Sequence, residues 1–332
     1  MKKIALFCDS PVFGGGGGVY SYCVALKELL ESKGMFKVTL FCDYDFINFK
    51  QAKIYSLKQI KSYLKSDNFD YIHINGFMTL LPFFVYYARK QLNLTQPLIY
   101  TPHAHPFYTL NHPFRNRIFY HLFVKKILKK AEILISINNE DHDFFSKLNK
   151  NVIKIPHWIR WEQTNIQIKK EVSGKKNILF VGRNDPNKNL SFLYNLPENI
   201  FNVTCVTNLP PERKDFTFKQ NLSHDELIEE YKKTDLLIVP SRYEAFSLTS
   251  LEALSLGKPI LISDRVRIAD WLDNVSGVSV FKYNDFIDFS EKLKLAFYQK
   301  VCIDNINKVF SKENAYNLYS ILFSKSPNQK SI

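Results

Sequence analysis

Residues 240–259 of this 332-residue chain read PSRYEAFSLTSLEALSLGKP. The apolar run Leu236–Val239 before them is typical of a buried strand, and Pro259–Ile262 at their end predicts another. Between the two strands the spacing predicts a helix from about Thr249 to Gly257, since glycine commonly ends a helix. Strand, loop, helix and strand in this order form the repeating unit of a parallel sheet.

The same rhythm extends along the whole chain. Further strands are predicted at Ile178–Val181, Val203–Thr207 and Val278–Phe281, and in the first half at Ile4–Asp9, Lys37–Cys42, Tyr71–Ile74, Leu98–Thr101 and Ile133–Ser136. The rhythm pauses across residues 155–177, and 332 residues exceed one ordinary core. We therefore predict an α/β protein of two doubly wound, Rossmann-like domains, residues 1–160 and 161–312. Ligands of such sheets bind beyond the carboxyl ends of the strands.

Composition excludes several classes of protein. The chain is 45% apolar and 23% charged, which is typical of a globular protein. Its longest apolar run, Phe77–Ala88, is shorter than the roughly 20 residues of a spanning helix. The five cysteines form no close pair, which argues against a disulfide framework or a zinc knuckle. We expect a cytoplasmic protein.

Positive charge is concentrated in the first half. The net charge is +13, of which +11 lies in residues 1–160, and no acidic residue occurs between Asp70 and Glu132. The densest part has helical spacing, with a predicted apolar face of Ile118, Phe119, Leu122, Phe123 and Ile127. Its basic residues are Arg115, Arg117, Lys125, Lys126, Lys129 and Lys130. Two interpretations remain open: a surface for an anionic membrane or an acceptor, or the solvated face of an ordinary helix. Nucleic acid is disfavoured because no RNA- or DNA-binding motif is found.

Two segments are suited to phosphate. The glycines Gly14–Gly18, which include Gly17, follow a strand and precede a helix, so backbone amides there could approach an anion. A flexible connection is the alternative. Arg183 and Lys188 follow another strand. The planar guanidinium of arginine beside the compact ammonium group of lysine suits a diphosphate. A solvated turn is the alternative here.

The quoted stretch carries two glutamates, Glu244 in the loop and Glu252 in the helix. Exposed amides at Leu248 and Thr249 could receive phosphate oxygens. The glutamates would lie about a nucleotide sugar's length apart, one meeting the sugar and the other the ribose. The alternative is a capping box, in which Glu252 satisfies the first amides of a helix capped by Thr249.

Together these residues resemble the retaining glycosyltransferases of family four, which have the GT-B fold of two Rossmann-like domains facing across a cleft. Glu244 and Glu252 match that family's glutamate pair. Gly182, Arg183, Lys188 and Asn189 match its Gly-Arg…Lys-Asn element, Gly17 and Gly18 its glycine loop, and Tyr100-Thr101-Pro102-His103 its histidine-bearing strand end. Residues 313–332 resemble its closing helix, which implies a return to the first domain.

The resemblance implies a role for each matched residue. Arg183 and Lys188 would neutralise the donor diphosphate, with help from the amides of Leu248 and Thr249. Glu252 would bind the ribose, Glu244 the donor sugar, and His103 would lie beside the anomeric carbon. Gln220 stands where the family usually has glycine, Tyr20 where many members have an acidic residue, and His157-Trp158 where Asn-Gly is usual. These departures leave the identity of the nucleotide, the identity of the acceptor and the hinge between the domains unassigned.

No cofactor and no metal are expected. Asp43-Tyr44-Asp45 and Asp141-His142-Asp143 imitate a metal-binding Asp-x-Asp motif, but the first follows a second strand and the second begins a helix. His103 and His105 have no third ligand in the acid-free interval.

We therefore expect metal-independent, retaining transfer of a sugar from a nucleoside-diphosphate sugar to a hydroxyl of a lipid-linked, lipopolysaccharide, O-antigen or capsule glycan. The enzyme would lie peripherally on the inner face of the cell membrane. Alternatives are a sugar-nucleotide epimerase of similar architecture and a non-catalytic module that binds sugar nucleotide or anionic membrane.

Overall fold

The computed structural model describes residues 1–9, 18–42, 56–76, 79–107, 117–161, 174–273 and 275–324. The chain forms two compact units. The first comprises Met1–Pro156 with the segment that begins at Lys312, and the second is His157–Ser311. Residues 157–160, assigned above to the first domain, thus belong to the second unit.

The first unit contains a six-stranded parallel sheet in the order β2-β1-β3-β4-β5-β6. Its strands are β1 (Lys2–Cys8), β2 (Phe36–Phe41), β3 (Tyr71–Asn75), β4 (Leu98–Thr101), β5 (Ile133–Ser136) and β6 (Val152–Lys154). Its α-helices include Gly18–Glu31, Leu57–Lys65, Leu81–Gln91, Lys125–Lys130, Asn139–Ser146 and Lys312–Ser324. The five strands predicted here are confirmed, and β6 was missed because it is short and only half-buried.

The first sheet is apolar on both faces because helices cover both. On one face Phe7 and Ile74 pack with Val85 and Leu128 from the covering helices. On the other, the ring of Phe323 in the helix Lys312–Ser324 lies against Tyr71 of β3. Lys2 Nζ donates a hydrogen bond to the carbonyl of Phe323 (2.8 Å), and the hydroxyls of Tyr22 and Tyr319 are hydrogen-bonded. The C-terminal helix is therefore part of the first unit's core.

The second unit repeats the design with the strand order β12-β11-β10-β7-β8-β9, again parallel throughout. Its strands are β7 (Lys176–Val181), β8 (Phe201–Val206), β9 (Thr217–Lys219), β10 (Leu236–Val239), β11 (Ile260–Ser263) and β12 (Val278–Phe281). Its α-helices are His224–Lys233, Leu248–Ser255, Phe286–Ala296 and Ile303–Phe310. 3₁₀ turns occur at Leu190–Asn195 and Arg267–Trp271. The predicted fold class is confirmed.

The basic helix differs from the prediction in its buried face. It contains a five-residue π-helical segment, Tyr120–Val124, ahead of Lys125–Lys130. The extra residue of a π turn rotates the helix faces. The buried side chains are therefore Tyr120, Val124, Ile127 and Leu128, whereas Ile118 and Leu122 of the predicted apolar face are exposed.

Within the described ranges, no helix combines the length and hydropathy needed to cross a bilayer.

Candidate functional site

The carboxyl edge of the second sheet holds a compact ion pair. Lys188 Nζ lies 2.9 Å from Glu244 Oε1, and the same oxygen accepts a hydrogen bond from Ser241 Oγ at 2.6 Å. The two side chains are 20% and 10% exposed. Sequence reasoning gave these residues separate tasks, whereas the structure brings them into direct contact.

Backbone contacts fix both members of this pair. Glu244 forms a one-residue parallel bridge with Val266, so the loop is held like a strand. Asn187, next to Lys188, accepts from the amide of Arg242 and donates through Nδ2 to the carbonyl of Tyr243. The two loops that carry Lys188 and Glu244 are therefore joined on either side of the ion pair.

Gly182 makes room for the lysine. A Cβ atom there would lie 3.3 Å from Cδ of Lys188, tighter than an ordinary contact. A side chain at this position would thus press on the lysine stem and move its ammonium group.

Arg183 has a different environment. Its guanidinium pairs with Asp185 at 3.0 Å and its side chain is 72% exposed. An exposed pair of this kind is weak and reorganises readily. Arg183 therefore lies near the strand end as predicted, but it is not held in the Lys188–Glu244 cluster.

The helix Leu248–Ser255 begins without a side-chain cap. Ser247 occupies the cap position with φ +92°, and its hydroxyl contacts Ser250 Oγ at 2.9 Å rather than a backbone amide. The first amides of a helix, here those of Leu248 and Thr249, have no intrahelical acceptor and carry partial positive charge. The predicted capping box is wrong, because Thr249 is the second residue of the helix and not its cap.

Glu252 accepts a hydrogen bond on Oε2 from the Tyr231 hydroxyl at 2.8 Å. Burial raises the pKa of Glu252 to about 7, although the Tyr231 hydrogen bond and the charge of Arg160 act in the opposite direction. The residue borders a shallow pocket that is lined by Trp158, Ile159, Arg160, Trp161, Leu248, Leu251, Glu252 and Ser255. Sequence reasoning missed the partner Tyr231, which lies 21 residues before Glu252 on another helix and carries no local signal.

The carboxyl edge of the first sheet carries His103, just beyond β4. Its backbone is left-handed, with φ +66°, a conformation that costs a residue with a Cβ about 1–3 kcal/mol. Its Nε2 lies 3.0 Å from Asn75 Oδ1, and its ring packs edge-on against Tyr22 with centroids 4.4 Å apart. A strained residue held by specific contacts is typical of a functional site.

Close packing and hydrogen bonds of neighbouring residues restrict movement at the carboxyl edge of the first sheet. The backbone of Gly76 has φ +91°, and a Cβ atom there would lie 2.5 Å from the carbonyl oxygen of Asp9. His73 Nε2 lies 2.8 Å from Thr101 Oγ1, and burial lowers the pKa of His73 to about 3. The ring of His73 is therefore neutral.

The remaining predicted residues fall into three groups. Gly17 and Arg115, like Asp43 and Asp45, lie outside the described residues, and Gly18 is exposed at the start of its helix. Arg117, Lys126, Lys129 and Lys130 are exposed and Lys125 is half-buried. His105 packs against the ring of Phe144, and Asp141 accepts from Asn138 Nδ2 at 2.9 Å, so both have structural contacts. The described part of the chain contains no group of three His, Cys, Asp or Glu side chains placed to hold a metal ion.

Part of the chain matches a known protein family. Residues 212–312 match the family model for glycosyl transferases group 1. They include the uncapped helix and both glutamates. The second unit thus contains a glycosyltransferase group 1 domain, and the chain has the GT-B fold.

Particular relatives extend the match over the chain. An uncharacterised 41.2 kDa protein in the cps region of Klebsiella pneumoniae is 25% identical over 285 residues, covering 77% of this chain and 79% of that protein. The lipopolysaccharide outer core galactosyltransferase WaaB has a TM-score of 0.72 at 15% identity, covering 98% of this chain and 100% of WaaB. HepE of Anabaena, in complex with UDP and glucose, has a TM-score of 0.67 at 16% identity with the same coverage.

Proposed function

We propose that this chain is a retaining glycosyltransferase that moves a sugar from a nucleoside-diphosphate sugar to a hydroxyl of an envelope glycan. The observation that carries the proposal is the uncapped helix start at Leu248, at the end of the loop that carries Glu244 of the Lys188–Glu244 pair. An open helix N-terminus and a lysine suit a diphosphate, and a carboxylate suits sugar hydroxyls.

Departure of the nucleotide places negative charge on its diphosphate. Fixed amides at Leu248 and Thr249 and the ammonium of Lys188 would stabilise that charge without reorganising, which lowers the barrier. Arg183 would leave its exposed pair with Asp185 to add a second cation. Because these groups would neutralise the diphosphate, we expect sugar transfer to proceed without a divalent metal.

The other predicted residues would position the donor. Glu244 would accept from hydroxyls of the sugar and Glu252 from hydroxyls of the ribose, while His103 would lie beside the anomeric carbon. Both carboxylates of the second unit's edge already have partners, Glu244 with Lys188 and Ser241 and Glu252 with Tyr231. This supports binding roles for them rather than a nucleophilic one, and we infer retention through attack on the same face that the diphosphate leaves.

The relatives support a substrate class. HepE was solved with UDP and glucose, WaaB acts on the lipopolysaccharide outer core, and the Klebsiella relative is encoded in a cps region. We infer a nucleoside-diphosphate hexose or related donor and a lipid-linked, lipopolysaccharide, O-antigen or capsule acceptor. The glycosyl transferases group 1 match favours transfer over the epimerase alternative.

Thermal unfolding with UDP, GDP, ADP and CMP and their sugar conjugates, in EDTA and in Mg²⁺, tests the donor site. A ligand at about 100 times its Kd adds about 2.7 kcal/mol to the free energy of unfolding, which shifts the melting temperature by several degrees. We expect one diphosphate to raise it equally in EDTA and Mg²⁺. The absence of a shift with every nucleotide would contradict the proposal.

The first unit supports a membrane-bound acceptor. On its basic helix Ile118 and Leu122 are 45% and 62% exposed, and the exposed Lys126 and Lys129 continue along the same helix. Each lysine near an anionic leaflet contributes about 1 kcal/mol, and the apolar tips can enter the interface. We therefore propose that the protein lies peripherally on the inner face of the cell membrane.

Sedimentation with phosphatidylglycerol vesicles tests this placement. We expect I118S/L122S to weaken binding by about tenfold, with donor-induced thermal shifts unchanged. The matched control is I287S/L295S, which removes apolar side chains that are 76% and 62% exposed in the second unit. Equal binding by both variants, or no binding by the unmodified protein at low salt, would favour a soluble acceptor.

A further inference from the structure

Asn75 is a polar residue at the end of β3, a strand whose residues are all buried. It is fully buried, it is the last residue of β3, and it lies in register with Cys8 of β1 and Thr101 of β4. No motif in the sequence points to it. Its side chain nevertheless reaches the residue expected beside the reacting sugar.

The contact is between Asn75 Oδ1 and His103 Nε2, at 3.0 Å. Within the part of the chain that the structure describes, Nδ2 of Asn75 is buried and has no hydrogen-bond partner. Burying a polar group without a partner is costly, and a leucine would fill a similar volume without that cost. The contact with His103 is therefore the reason for an amide at this position.

The support of Asn75 is rigid. The amide of Asp9 donates to the carbonyl of Asn75 at 2.8 Å, and the amide of Gly76 donates to the carbonyl of Thr101 at 2.9 Å. Two residues earlier on β3, His73 makes a side-chain contact of 2.8 Å with Thr101, the register partner of Asn75. Asn75 Oδ1 is therefore held at a defined place relative to β4 and His103.

We propose that Asn75 is a positioning residue for His103. Its Oδ1 accepts a hydrogen bond from Nε2–H, so the neutral ring carries its hydrogen on Nε2 and its lone pair on Nδ1. The contact also fixes the rotation of a ring whose backbone is already strained. The proposal rests on the proposed function, in which His103 lies beside the anomeric carbon of the donor.

The tautomer can be read without any turnover. Two-bond ¹H–¹⁵N spectra of ¹⁵N-histidine-labelled full-length protein at about pH 8, where an ordinary imidazole is neutral, distinguish the two forms. We expect His103, assigned by the loss of its signals in H103Q, to be protonated on Nε2. We expect N75A to give a mixture of both tautomers. A His103 protonated on Nδ1 in the unmodified protein would overturn the proposal whether or not the protein transfers sugar.

Kinetics then test whether Asn75 acts through His103. We expect N75A to lower kcat by about tenfold or more, with a donor KM within about twofold, because positioning affects the transition state more than binding. In the H103A background, N75A should cause no further loss. The same tenfold loss in that background would show that Asn75 acts independently of His103.

Two further variants separate positioning from folding. Asn75→Asp keeps an oxygen facing Nε2 and should recover much of the kcat lost in N75A. Equal losses in the two would contradict the proposal. Asn138 is also fully buried at the end of a strand, but it caps the helix Asn139–Ser146. N138A should lower the melting temperature and leave the His103 tautomer unchanged.

Discussion

The carboxyl edges of the two sheets are built from different interactions. The first is held by uncharged contacts between His73 and Thr101 and between His103 and Asn75. The second is held by ion pairs, Lys188 with Glu244 and Arg183 with Asp185. The same strand arrangement thus supports histidines with uncharged partners in one unit, beside the buried Asp9 carboxylate that accepts from Thr79, and ion pairs in the other.

The difference follows from burial. His73 is fully buried and burial lowers its pKa to about 3, because a charged ring there would lose its hydration without an opposite charge. Lys188 and Glu244 each keep some contact with solvent and neutralise one another. Uncharged hydrogen bonds can hold side chains in place, whereas an ion pair can exchange its partners for a charged ligand.

Lys188 should give the largest effect. We expect K188M to lower kcat/KM by about 10²–10³-fold, equivalent to about 3–4 kcal/mol, because it removes a fixed cation from the leaving diphosphate. The exposed Lys294 is the matched control, and K294M should leave turnover unchanged. Turnover within about twofold of normal in K188M, measured by donor consumption, would show that the charged edge does not bind the donor.

Glu252 should give the next largest effect, through pH. Its folded pKa of about 7 lies above its ordinary 4.5, so the folded protein binds the proton more tightly. The contribution of Glu252 to the free energy of unfolding is therefore greatest below about pH 4.5. It falls as the pH rises towards 7, by up to about 3 kcal/mol.

E252Q cannot ionise and should lose this dependence. The difference in melting temperature between E252Q and the unmodified protein should grow from pH 5 to pH 8. A constant difference would mean that Glu252 is already ionised at pH 5.

Gly76 should give an intermediate effect on stability. We expect G76A to cost about 2 kcal/mol, because its Cβ would lie 2.5 Å from the Asp9 carbonyl in addition to the unfavourable φ of +91°. Gly34 has φ +68° with nothing within 4 Å of a Cβ, so G34A should cost only about 1 kcal/mol. Chemical denaturation measures both. Equal losses would show that the first edge is less rigid than we describe.

Asp185 should give the smallest effect. Its pair with the exposed Arg183 should contribute less than about 0.5 kcal/mol. Asparagine keeps the Oδ1 that accepts from the amides of Asn187 and Lys188, so D185N should leave the free energy of unfolding nearly unchanged. The same substitution frees Arg183 and should not weaken donor binding. A large loss of stability in D185N would place this pair in the fixed structure of the second edge.

Local patterns predicted the architecture well. Apolar runs such as Ile178–Val181 and stop signals such as Gly257 depend on neighbours in the sequence, and the strands and helices lie close to where these patterns placed them. The helix after Glu244 is one residue longer at its start than predicted, which is why the capping box was wrong. The predicted apolar face of the basic helix is only partly buried, because a π segment cannot be read from a 3.6-residue period.

The sequence by itself determined two parallel α/β domains, the matched spacing of Lys188, Glu244 and Glu252, and the concentration of positive charge in the first half. Only the tertiary structure decided which side chains meet: Lys188 with Glu244, Tyr231 with Glu252, and Asn75 with His103. These partners are separated by 56, 21 and 28 residues. Spacing along one element predicts which face a residue occupies, but contacts across strands depend on sheet order and register, which local periodicity does not encode.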